Sequence, residues 1–164
     1  MDILSRLLGH DHWTTAQLLQ RCAALSPAQL QMSVAVGYGN LTQTFDHMVG
    51  NVEAWTDLML ARQSRDIEGN SPLALLERWN AAYAEFATLA RELQNQNRLN
   101  DCYTDVLDNP PRQKSFGGTI LHVITHNHQH RAEAIHMLNQ LGVPDVIEGD
   151  LLDWERLAKD KQGD

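Results

Sequence analysis

"GGTILHVITHNHQHRAEAIHMLNQLGVP", residues 117–144, decides how the rest of the chain is organised. It reads as a helix from about Thr119 to Leu141, stopped by Gly142 with Pro144 beyond, which is ordinary punctuation for a helix C-terminus. At about 100° per residue, with His126 as origin, His122 falls near about −40° and His130 near about +40°, while His128 lies at about 200° on the opposite face. The three histidines of "THNHQHR" (125–131) are therefore not one site. His126 and His130 are one turn apart, with Cβ atoms about 6 Å distant, so their rings can converge on a metal ion. His122 extends that stripe, and His136, near about −80°, lies at its edge.

Two ligands from one helix do not make a durable site, so a third has to come from elsewhere. The candidates are His10, His12 and His47. His47 is embedded between Asp46 and Met48 in an apolar run, where a bare surface role is least comfortable, and it is the expected partner. Three histidines leave a coordination position for water or substrate, as catalytic zinc sites do. Five of the eight histidines lie within residues 122–136, and such a stripe can also serve only to satisfy hydrogen bonds inside a bundle. Asn127 stands where the metalloprotease pattern HExxH needs its glutamate base, which disfavours peptide hydrolysis by that mechanism.

Further helices follow from periodicity. Ile3, Leu7, Leu8, Ala16, Leu18, Leu19 and Ala23 mark a first helix from Asp2 to Leu25, broken by "SPAQL" (26–30). Leu41, Phe45, Met48, Val52, Trp55 and Met59 define a second, to about Arg62, with Gly50 as an interior weak point. "QSRDIEGN" (63–70) is loop-like. Ser71 caps and Pro72 opens a third helix reaching about Gln94. Residues 95–118 are too long and too rich in Asn, Asp, Pro and Gly for a tight bundle turn, with short extended pieces expected around Cys102 to Leu107. A short helix from Asp150 to about Lys159 closes the chain. The expected class is all-α: one domain over 1–164, a four-helix bundle with a long connection between the third and fourth helices and a short accessory C-terminal helix.

Composition narrows the function. With 21 acidic against 13 basic residues, a formal charge of −8 repels phosphate backbones and anionic lipid, so neither nucleic acid nor membrane is an expected partner. Cys22 and Cys102 share no ligand-like or CxxC spacing and read as reduced, structural thiols. No leader-like start or membrane-length apolar run is present, and a cytoplasmic setting is expected.

"LTQTFDHMVGNVEAW" (41–55) together with residues 117–144 resembles the DinB/YfiT-like superfamily of bacterial four-helix metalloproteins, and "HWTTAQLLQRCAALSPAQL" (12–30) resembles its first helix and exit. The specific matches are His47, followed by the aromatic Trp55, then His126, His130 and Arg131 in an H-x3-H-R run, then "LGVP". The resemblance implies one divalent ion, often nickel or zinc, on His47, His126 and His130, and commonly a homodimer. Some relatives resemble S-transferases that use a low-molecular-weight thiol as cosubstrate. Others resemble metal-dependent hydrolases or stress-related proteins without known activity. The expectation is a metal-dependent enzyme acting on a small-molecule substrate, of the thiol S-transferase type, with hydrolysis or non-catalytic metal binding as alternatives. No catalytic residue is assigned.

Several residues carry two readings. Arg131 either holds a substrate carboxylate or pairs with an acid on a neighbouring helix such as the first. Glu133, near about −20°, shares the stripe as an acceptor behind a ligand, a general base or plain surface. His12 is expected to line a pocket rather than supply a fourth ligand. Trp13, Trp55, Trp79 and Trp154 read as packing anchors, and Tyr38 within "GYG" as part of a turn.

Overall fold

The computed structural model of the protein describes residues 1–65 and 68–160. Its elements are α1 (Ile3–Cys22), α2 (Pro27–Leu30), α3 (Leu41–Met59), α4 (Pro72–Asn95), β1 (Cys102–Asp105), β2 (Arg112–Ser115), α5 (Phe116–Gln140) and α6 (Leu151–Asp160). The class is all-α, as expected. Asp66 and Ile67, within the stretch read as a loop, lie outside the described residues.

The caps explain the helix boundaries. Asp2, Asn40, Ser71 and Ser115 each accept a backbone N–H from the first turn of α1, α3, α4 and α5, satisfying donors that have no partner within the helix. Ser115 as the cap starts α5 three residues before the expected Thr119. "SPAQL" is not merely a break: Ser26 and Gln29 form a reciprocal capping box over the one-turn α2.

Helices α1, α3, α4 and α5 form the bundle, with α1 and α3 each packed between α4 and α5. Their directions follow from side-chain neighbours. Pro72 and Leu75 lie beside Leu41 and Phe45, and Glu85 meets Arg62 just beyond α3, so α3 and α4 run parallel. Gln94 bonds Asp2 and Asn80 bonds His12, so α1 and α4 are antiparallel. His47 faces His126 while Trp55 faces His122, which makes α3 and α5 antiparallel. The connection from Met59 to Pro72 must therefore return the chain along the bundle. A 19-residue α3 is about 28 Å long, and the dozen intervening residues reach about 40 Å when extended. The crossover is thus the second connection. The third links α4 to α5 at opposite corners of the bundle and carries a hairpin: β1 and β2 pair antiparallel in the register Cys102↔Ser115 to Asp105↔Arg112, and Phe116 and Gly117 bond back to Asp101 and Leu99.

Leu8, Leu18, Phe45, Met48, Val52, Trp79, Phe86, Ile120, Val123, Met137 and Leu138 lie at the buried centre. Two arginine clusters clasp α3 to α4. Arg62 makes a paired contact with Glu85 and, with Arg65, meets Asp57; Arg78 spans Glu53 and Asp46. Asp150 caps the start of α6, which packs on α1, where Trp154 sits against Gly9; a Cβ on that glycine would overlap the indole. Among the described residues no helix is long and apolar enough to cross a membrane.

Candidate metal centre

The chain brings His47 of α3 together with His126 and His130 of α5. One ring nitrogen from each lies within 4.8 Å of the other two, near the about 3.4 Å that separates donors around a tetrahedral ion at 2.1 Å bond lengths. His47 Nε2 and His126 Nε2 are only 2.8 Å apart. Two imine lone pairs approach so closely only with a proton or a cation between them.

His130 carries the other half of the case. Its Nδ1 lies 2.6 Å from Glu133 Oε2, so the ring donates its Nδ1 proton to the carboxylate and keeps the Nε2 lone pair. That Nε2 is buried and has no hydrogen-bond partner. A buried acceptor left unpaired is costly, and a bound ion would satisfy it. The donor set of three imidazoles, one oriented from behind by a carboxylate, suits a divalent transition metal. Burial first, then the neighbouring His130, His47 and His122 rings, pull His126 down to about 4; burial and then His130 lower His47 as well. Both rings are neutral at pH 7, the form in which imidazole binds metal.

The turn before α3 closes over this cluster. Tyr38 Oη lies 3.1 Å from His47 Nε2, and its ring centroid is 4.1 Å from that of His47 and 5.3 Å from that of His130. Gly37 has φ +51°, and a Cβ there would overlap the Glu133 carboxylate. The glycine thus serves the site twice, through a left-handed backbone and through close approach. Sequence reading took Tyr38 only as part of a turn and missed its place at the cluster. An aromatic between two glycines, just ahead of the helix carrying His47, was the available signal.

Behind the cluster lies a buried polar knot. Asp11 of α1 accepts from Tyr83 Oη at 2.7 Å, from Asn127 Nδ2 at 2.9 Å and from the Arg131 guanidinium. Burial lowers Arg131 to about 10, which leaves it charged at neutral pH. Of the two readings of Arg131, the pairing with an acid on the first helix is the one the structure displays. Asp11 and Tyr83 were not singled out in the sequence, and Asn127 only as the residue that breaks the HExxH pattern.

The remaining candidates fall outside the cluster. His122 is exposed and stacks on His126, with centroids 5.4 Å apart. His12 bonds Asn80 and lines a cavity with Tyr83, Thr88 and Arg91, away from the three histidines. His10 is buried against the Gly149 carbonyl at 2.7 Å; His128 and His136 are exposed. Trp79 and Trp154 are buried anchors as expected. Trp55 is half-buried: it packs against the core, lies edge-on to His122 and also lines a cavity. Cys22 is buried and Cys102 exposed, both as free thiols.

Fold and site together define a four-helix bundle with a three-histidine cluster between its second and fourth long helices. The sequence profile of the DinB family matches residues 2–161, and the chain belongs to that family. Among solved structures it is similar to a DinB-like protein from Bacillus cereus ATCC 10987, with a TM-score of 0.59 and 18 % identity over 84 % of this chain and 91 % of that one. At that identity the likeness concerns the fold. No curated protein matches the chain.

Proposed function

We propose that the protein is a metal-dependent enzyme acting on a small molecule, with His47, His126 and His130 holding one divalent ion, nickel or zinc. The observation that carries this reading is the convergence of three ring nitrogens within 4.8 Å, one of them the buried, unpartnered Nε2 of His130. An ion held there supplies Lewis acidity, which eases loss of a proton from a thiol or a water in its open position. The family resemblance favours transfer of a low-molecular-weight thiol to an electrophile, with hydrolysis as the rival.

The chain's own groups divide the remaining work. Glu133 holds the Nδ1 proton of His130 and so fixes that ring's tautomer. Tyr38 Oη, already within hydrogen-bonding distance of His47 Nε2, is placed to hydrogen-bond a small molecule entering beside the histidines. The Asp11–Arg131 pair, with Asn127, anchors the back of α5 to α1, which keeps the histidine face of α5 in register. The reading includes a cytoplasmic setting, supported by two free thiols, and a homodimer. The amphipathic α6 does not supply its surface, since α6 packs on α1. An apolar groove lined by Ile3, Leu4, Leu7, Leu99 and Leu121 supports a dimer instead.

Titration of untagged protein with zinc and nickel, followed by turnover of an electrophilic probe with bacillithiol, mycothiol or glutathione, tests the proposal. One ion per chain and thiol-dependent turnover are expected. Thiol-independent turnover would move the assignment to a hydrolase, and absence of stoichiometric binding would end the metal reading.

A further inference from the structure

A row of side chains leads away from the three histidines along the seam between α3 and α5. On α3, His47, Asn51 and Trp55 stand at successive intervals of four and share one face. Opposite them on α5 stand His130, His126 and His122. Where the row ends, Trp55, His122, Gly118, Thr119, Ser115 and Lys114 line an open cleft of about 420 Å³, within the range of about 300–1,000 Å³ usual for small-molecule sites. His122 is the wall shared with the cluster: its ring lies 5.5 Å from Trp55 on one side and 5.4 Å from His126 on the other.

The chemistry of the cavity is apolar despite Lys114. That ammonium is held by Asp105 and lies 3.2 Å from Asp108 Oδ2. Its charge is thus more than cancelled at the rim, and its contact with the cavity is through the Trp55 face, 4.7 Å from the ring centroid. An anionic ligand would meet two carboxylates for one cation. Between cavity and cluster, Asn51 Nδ2 is buried without a hydrogen-bond partner. A buried donor of that kind is stabilised by an acceptor, and it stands one helical turn from both His47 and Trp55.

We infer that this cavity binds the uncharged aromatic end of the small-molecule substrate, while Asn51 donates to a carbonyl-type acceptor that links that end to the group held at the histidines. The inference rests on the metal reading above for the direction of the substrate, but not for the pocket itself. Trp55 offers ring stacking, Gly118 and Thr119 complete the lining, and the His122 ring sets the distance from pocket to cluster at about one imidazole.

Two arms test it. In the first, zinc-loaded full-length protein is titrated calorimetrically with acetohydroxamate, benzohydroxamate and 4-carboxybenzohydroxamate, which share one metal-binding head. Benzohydroxamate is expected to bind about tenfold more tightly than acetohydroxamate, and the carboxylated ring to lose that advantage. Trp55→Ala is expected to reduce the difference below about twofold. Equal binding of the two neutral probes to the native chain, or an advantage that survives Trp55→Ala, overturns the pocket and leaves the metal reading intact. In the second arm, metal-free native protein is titrated with benzamide and followed by NMR. Shifts at the Trp55 indole N–H, the Asn51 side-chain amide and the Gly118 amide are expected. Their absence at saturating benzamide overturns the pocket without reference to any metal. If zinc fails to bind while benzamide does, the pocket stands and the metal reading falls.

Discussion

Glu133 Oε2 lies 2.6 Å from His130 Nδ1, and the same carboxylate fills the space a side chain at position 37 would need. One acid thus orients a candidate ligand and seats the turn that carries Tyr38. Its removal should be felt at the metal first. Glu133→Ala is expected to weaken zinc or nickel binding about 10- to 100-fold, measured by competition with a chromogenic chelator. Glu133→Gln, whose amide oxygen can still accept the Nδ1 proton, should lose less. Affinity unchanged in both variants would show that His130 needs no acceptor.

Gly37→Ala should disturb the same arrangement from the loop side. The substitution meets a positive φ and the Glu133 carboxylate together. A cost of about 1–3 kcal/mol in folding stability is expected from denaturant titration, accompanied by weaker metal binding as Glu133 is displaced. Gly39→Ala, also at positive φ but with open space around it, should strain the backbone without changing metal affinity.

Buried charge makes a separate prediction. Asp11 and Arg131 are 0 % and 2 % exposed, and Asp11→Ala leaves the guanidinium without its counter-charge. A loss of about 3–5 kcal/mol is expected in urea unfolding. The double variant Asp11→Leu with Arg131→Met removes both charges and should recover much of that loss. A single-variant effect under about 1 kcal/mol would mean that the pair contributes little to the bundle.

The metal-free protein should lose stability on mild acidification. Burial lowers His10, His12 and His47, and His126 is drawn down to about 4. In the unfolded chain these rings titrate near 6.5, so between about pH 6.5 and pH 4 the unfolded state binds more protons than the folded one. Stability is therefore fully present above 6.5 and declines as pH falls toward 4. Thermal unfolding of metal-free protein across this range should show a falling midpoint, and a flat profile would contradict neutral burial of these rings.

Much of this was legible in the sequence. Helical period, caps and glycine stops located the four long helices, because each signal is local. The pairing of His126 with His130 is likewise a matter of one helical turn. The choice of His47 needed its apolar setting and the family resemblance, since no local rule says which face of α3 meets α5. Tyr38 was missed because a turn's composition does not reveal which way its central side chain points. Asp11 had a readable signal: it lies in step with Leu4, Leu8, Thr15 and Leu18 on the inward face of α1, where an acid requires a partner. The second strand escaped notice because "RQKS" (112–115) has no alternating apolar pattern; its pairing is fixed by the partner strand. The parallel course of α3 and α4 is equally nonlocal, resting on the ion pairs and side-chain neighbours that join them.

His47 and His126 are 79 residues apart, and Asp11 and Arg131 are 120 apart. During synthesis the first imidazole of the cluster emerges long before the helix that bears the other two. Neither the cluster nor the ionic tie behind it can assemble until α5 itself has left the ribosome. The three-histidine arrangement accordingly depends on a contact between two helices far apart in the chain, and cannot be reproduced by either helix alone.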